Sequence, residues 1–181
     1  GSEMCIRDRA YHANGGQGTM AATEGVTDQV VEVAANGFER AGYAFVGWNP
    51  AADGSGQAYA AGAGYALTAG DDALFAQWTP NDGTAYTVNH YKVNAAHTAA
   101  TLDNAENLNA TTDTVVEATA QTIPGYTYQP LFDENDMKTV ASGTVAGDGS
   151  LVLNLYYTPD ADALAYHANG CLLYTSPSPR D

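Results

Sequence analysis

Lysine and arginine together number only 6 in this chain of 181 residues, against 21 aspartates and glutamates, for a formal charge of −15. That imbalance repels phosphate and anionic headgroups, so no partnership with nucleic acid is expected. Cysteine is nearly as scarce, limited to Cys5 and Cys171, both close to the ends. No disulfide framework can be built from such a pair across an otherwise cysteine-free body. Long apolar runs are missing too. None approaches the roughly 20 residues of a membrane span, so no membrane insertion is expected within this stretch.

Groups for catalysis are equally thin. Away from the ends the serines are Ser55, Ser142 and Ser150, each beside a glycine in turn-like sequence, which leaves no evident nucleophile with a dedicated base. His12 and His167 share one repeat position, His90 alternates inside an apparent strand, and His97 falls in a polar loop. The chain therefore reads as no enzyme, with no cofactor and no catalytic residue. Clustered carboxylates at Asp53-Gly54-Ser55-Gly56, Asp71-Asp72 and Asp133-Glu134-Asn135-Asp136 raise the question of calcium, but none has EF-hand spacing, and solvated turns are the simpler reading.

The two ends differ from what they flank. Residues 1–9 read GSEMCIRDR and residues 171–181 read CLLYTSPSPRD. The first can be encoded by one strand of a short oligonucleotide and the start of the second by its complement. Both are expected to be translated sequencing-adapter sequence rather than native protein, and are set aside before fold reasoning. Setting them aside removes three acids and three bases, so the whole −15 stays on residues 10–170.

What is present is glycine, tyrosine and β-branched residues in ordered series. Ala10-Tyr11-His12-Ala13-Asn14-Gly15 recurs at residues 165–170, as though a second copy were beginning. Proline and glycine in Thr79-Pro80-Asn81-Asp82-Gly83 break the pattern, and Thr158-Pro159-Asp160 breaks it again. The expected organisation is a module at 10–79, a linker at 80–83, a module at 84–158, a linker at 159–164 and the start of another repeat at 165–170.

In the first module, Asn14, Gly15 and Gly16 supply positive-φ positions for a tight turn after a short strand around Tyr11. Val26–Val33 reads as one strand. Phe38, Tyr43, Phe45 and Trp48 are spaced to share one core, with Gly42 and Gly47 as bends, and Leu74–Trp78 closes the module as a strand. This series resembles the internalin B-repeat family over residues 10–79, and the resemblance implies a small β-grasp-like module strung along a bacterial surface protein.

In the second module, Tyr86–Val93 and Leu151–Tyr157 alternate with period 2 and read as first and last strands, with Thr114–Thr119 between them. The weak helix candidate is Asn104–Ala110. Ile123-Pro124-Gly125-Tyr126 followed by a closing Tyr156-Tyr157 strand resembles mucin-binding-protein repeats, which implies that Tyr126, Tyr128, Tyr156 and Tyr157 could face a ligand. A Lys92–Asn154 isopeptide link, assisted by Glu117, is a further possibility if the strands bring them together in a desolvated pocket.

The fold class expected is mainly β, two small β-grasp-like modules in tandem with little helix. The function expected is adhesion and spacing by an extracellular, wall-attached or secreted segment of a repetitive Gram-positive surface protein. Its partners would be host or matrix glycans or glycoproteins and neighbouring repeats. A purely structural stalk is the alternative.

Overall fold

The computed structural model describes residues 6–68, 72–161, 163–166 and 172–175. Its strands run in chain order β1 Ile6–His12, β2 Thr23–Val26, β3 Val30–Glu32, β4 Tyr43–Asn49, β5 Gly64–Ala66, β6 Asp72–Pro80, β7 Thr84–Val93 and β8 Ala100–Ala110. They continue as β9 Val115–Glu117, β10 Tyr126–Tyr128, β11 Asp133–Glu134, β12 Met137–Lys138, β13 Ser142–Thr144, β14 Val152–Pro159, β15 Ala163–Tyr166 and β16 Leu172–Thr175. The chain is mainly β, and no helix lies among the described residues. Asn104–Ala110, the helix candidate, is strand: it forms most of β8.

Two four-stranded sheets share one plan. The first has the order β2-β1-β6-β4, and its central pair β1 and β6 is parallel, with Tyr11 opposite Leu74. The second has the order β10-β14-β7-β8, with a parallel central pair joining β7 and β14. In both, a first and a last strand meet at the centre. A parallel pair needs a crossover connection, and here 59 and 58 residues lie between the central strands of the two sheets. Small two-stranded pairs, β3 with β5 and β9 with β13, occupy those crossovers.

The chain divides into two compact units. Unit 1 is Gly1–Tyr86 together with Asn109–Thr114 and Thr144–Leu151, and unit 2 is Thr87–Leu108, Val115–Gly143 and Val152–Asp181. This differs from the expected division at 80–83, because unit 1 recruits two later segments. Ile6–Arg9, part of the tail set aside on sequence, forms the start of β1 against β2. Of the second repeat copy, Ala165 and Tyr166 end β15, while residues 167–170 lie outside the described residues.

The core of unit 1 is aromatic. Trp48 is fully buried among Tyr11, Val33, Phe38, Leu74 and Ala76, with Phe45 and Trp78 packed against them. Tyr11, Phe38 and Phe45 all meet Trp48 edge-on, at 4.8, 6.0 and 5.1 Å between ring centroids. The polar ends of these rings are satisfied as well. Trp48 Nε1–H donates to the Ala34 carbonyl at 3.0 Å and Trp78 Nε1–H to the Ala13 carbonyl at 2.8 Å.

Phe45 and Trp48 are three residues apart, so a regular strand would aim them at opposite faces. A bulge solves this. Phe45 opposes Trp78 while Gly47 opposes Gln77, so Val46 is an extra residue without a partner in the register, and its side chain is exposed. The inserted residue resets the alternation and both rings enter the core. Gly47 takes φ 151° at this point.

Val26–Val33, expected as one strand, is divided into β2 and β3. Asp28 adopts φ 65° and the Gln29 amide returns to the Val26 carbonyl at 3.0 Å, which makes a turn in the middle of the β-branched run.

Candidate functional site

The first-module motif residues hold turns and core. Asn14 (φ 47°) and Gly15 (φ 89°) make the turn, and the Asn14 amide donates to the carbonyls of Ala52 and Ala76, both at 2.8 Å. A Cβ on Gly16 would stand 2.8 Å from Trp78 Cζ2 and 2.9 Å from the Glu39 carbonyl, so the backbone passes where no side chain fits. Tyr43 departs from the shared interior expected for it. Its ring lies under the Arg40 guanidinium at 3.7 Å, and its hydroxyl donates to the Asp113 carboxylate.

Of the four tyrosines expected to face a ligand, Tyr156 and Tyr157 are buried in the structure. Tyr157 is fully buried: its hydroxyl lies 2.8 Å from His90 Nδ1 and accepts the Gln121 amide at 2.9 Å. Tyr156 is buried on the opposite face, stacked with Phe132 and Tyr91 at 5.6 and 5.1 Å. Adjacent residues of one strand can both be buried because β14 is central in its sheet and covered on both sides. Burial pushes both hydroxyls above their ordinary titration range. Tyr128 is half-buried beside Tyr157 and is also pushed up, by desolvation and then by the Glu117 charge. Tyr126 is half-buried, with Lys92 Nζ 5.3 Å from its ring centre.

The isopeptide possibility is overturned. Asn154 registers with Asn89, three residues from Lys92, and three residues of strand span about 10 Å. Lys92 instead pairs with Asp103 at 2.6 Å. The calcium candidates are otherwise engaged. Asp53 Oδ1 accepts the Ser55 amide at 3.0 Å, and its hydrogen bonds with Ser55 hold the carboxyl below its ordinary range. Asp133 pairs with Lys138 and Glu134 with His97, each at 2.9 Å. Asp71 lies outside the described residues, as does the side chain of Asp72. Among the described residues no group of three metal-ligating side chains gathers, and no helix is long and apolar enough to cross a membrane.

The concave site of unit 2 lies elsewhere. An open pocket of about 420 Å³ is lined by His97, the turn from Gln129 to Glu134, and Thr158. Phe132 is its buried wall, with the His97 ring edge-on at 5.6 Å, and Gln129 Nε2–H donates to Thr158 Oγ1 at 2.8 Å. The turn is pinned on both sides. Thr139 Oγ1–H donates to the Gln129 carbonyl at 2.8 Å and the Thr139 amide to the Phe132 carbonyl at 2.9 Å. At its tip Leu131 is 93% exposed, following Pro130. Sequence reading missed this pocket. The available signal was Pro130-Leu131, an apolar residue held out by proline immediately before an acidic run.

Comparison with known proteins bears on unit 1 first. Residues 10–77 match the Listeria-Bacteroides repeat domain. The match ends two residues short of the module boundary expected from sequence and leaves the rest of the chain unmatched, so it describes that segment alone. No curated protein matches the chain. The solved structure of Mub-RV is similar at 11% identity, covering 87% of this chain and 99% of its own, with a TM-score of 0.22. A score that low carries no argument about fold or function.

Proposed function

We propose that the chain is a non-enzymatic repeat segment of a bacterial surface protein, serving adhesion and spacing through many weak contacts. The observation that carries this is the repeat-domain match over residues 10–77, joined to the Ala-Tyr-His-Ala-Asn-Gly string that returns at residue 165. A module repeated along one chain gains apparent affinity by raising the effective concentration of each further contact, so poor single-site binding suffices. The internalin-type repeat is the finer reading within this class, and an extracellular, wall-attached setting belongs with it.

The partners proposed are host or matrix glycoproteins. The side chains of unit 1 support a structural role for that module, since its aromatic residues make a core. Retention of the full chain on immobilised mucin and on a matrix glycoprotein tests the adhesive reading. Retention that grows with the number of linked copies is the expected result. No retention of a multi-copy chain on either surface would leave the stalk reading in possession.

A further inference from the structure

The pocket beside Leu131 combines three features that a folded turn does not need. Leu131 is 93% exposed, yet the turn that carries it is fixed by hydrogen bonds on either side. A single exposed leucine is ordinary on a protein surface, but this one is held at the rim of a pocket, where it offers apolar area to something outside. Next to it stand three carboxylates, Asp133, Glu134 and Asp136, of which Asp133 is paired with Lys138 and Glu134 with His97. Asp133 and Glu134 make up β11, and Asp136 lies in the Asn135-Asp136 turn of the β11–β12 hairpin, with φ 49° and 63°.

The occupant follows by elimination. A second copy of this chain, at −15, meets the acidic rim with like charge, as would a sialylated or sulfated sugar. A neutral sugar wants a flat exposed aromatic face, and here Phe132 is a buried wall while the exposed residue is aliphatic. What remains is a chain segment carrying positive charge next to apolar bulk.

We propose that the His97/Gln129–Glu134/Thr158 pocket docks a basic peptide segment of a partner protein, one in which an arginine or lysine neighbours a leucine-sized side chain. The apolar group lies against Leu131 at the pocket rim, and the cation reaches the carboxylate of Glu134, which now accepts from His97 Nδ1–H. This goes beyond the adhesive reading and stands whether or not the chain is retained on glycans.

The test is fluorescence anisotropy of a labelled Gly-Leu-Arg-Gly-Leu-Arg-Gly peptide with the full chain, beside the same peptide carrying glutamate for arginine. Leu131→Ser is expected to weaken binding about tenfold, the scale of one apolar side chain lost from an interface. Glu134→Gln should weaken it several-fold and flatten its salt dependence. Glu24→Gln, which removes an exposed acid of β2, should leave it unchanged. Amide shifts in an NMR titration are expected at His97, Gln129–Glu134 and Thr158. Equal losses from Glu24→Gln and Glu134→Gln would mean diffuse attraction and overturn the proposal. So would indifference to Leu131→Ser, equal binding of the glutamate peptide, no binding up to millimolar peptide, or a neutral oligosaccharide shifting the same amides in the peptide's place.

Discussion

Arg9 lies wholly inside unit 1, and among the described residues none of its three guanidinium nitrogens meets a hydrogen-bond acceptor. Its sole described compensation is the Tyr65 ring, 3.7 Å from the guanidinium carbon. A desolvated cation with no anion costs several kcal/mol, of which a cation–π contact returns about 2. Arg9→Leu should therefore stabilise the chain by about 1–3 kcal/mol, read as a rise in the urea midpoint at unchanged slope. A drop in midpoint would show that Arg9 is at home. Trp48 is the opposite case, buried and fully partnered, and Trp48→Ala should cost about 3–5 kcal/mol in the same assay.

The buried tyrosines of unit 2 add a pH dependence at this scale. Tyr157, Tyr156 and Tyr128 are all pushed above the ordinary tyrosine range, chiefly by desolvation. In the unfolded chain they lose their protons near pH 10, before the folded ones do. Above that pH the folded state binds more protons, so stability falls as pH rises; below it the contribution is fully present. Absorbance at 295 nm should show a late phenolate fraction that shrinks in Tyr157→Phe and appears together with unfolding. Uniform titration near pH 10 with the fold intact would contradict this.

At the scale of elements, the bulge in β4 absorbs Val46 as an extra residue, so that Phe45 and Trp48 enter one core. Since Val46 has no partner in the β4–β6 register, deleting it leaves Phe45 opposite Trp78 and Trp48 opposite Ala76. The deletion should therefore be tolerated. Deleting Gln77 from β6 moves Trp78 across the sheet, and should unfold unit 1. Tryptophan fluorescence reports both, and equal damage from the two would remove the bulge from the explanation. The strands with clean alternation, β7 and β14, were legible in sequence to within two residues. The division of Val26–Val33 was not, because β-branched content shows that a run prefers strand but not where Asp28 will turn it.

Over the whole molecule, unit 1 is completed by residues far along the chain. The Gly42 carbonyl accepts from the Asn81 amide and from Thr112 Oγ1–H, each at 2.8 Å, and Thr112 Oγ1 also lies 2.7 Å from Thr84 Oγ1. Gly147 packs its backbone directly on Ala41 and Gly42, with no space for a Cβ. Gly147→Ala should thus destabilise unit 1 by about 1–3 kcal/mol, although it is 99 residues from Trp48 in sequence. The measurement is the urea midpoint followed by the fluorescence of Trp48 and Trp78. An unchanged midpoint would mean that unit 1 closes without the 144–151 segment.

The sequence by itself determined the β character of the chain, its closing strands, its glycine turns and its repeat string, because period-2 alternation and positive-φ residues are local properties. Local chemistry also sufficed to disfavour nucleic acid, since charge is counted without knowing the fold. Only the tertiary structure decided that Tyr156 and Tyr157 are both buried, that Lys92 meets Asp103 instead of Asn154, and that Leu131 stands in water at a pocket rim. Those outcomes depend on which strand lies beside which and what covers each face, and residues brought together across the chain leave no trace in the spacing of their neighbours.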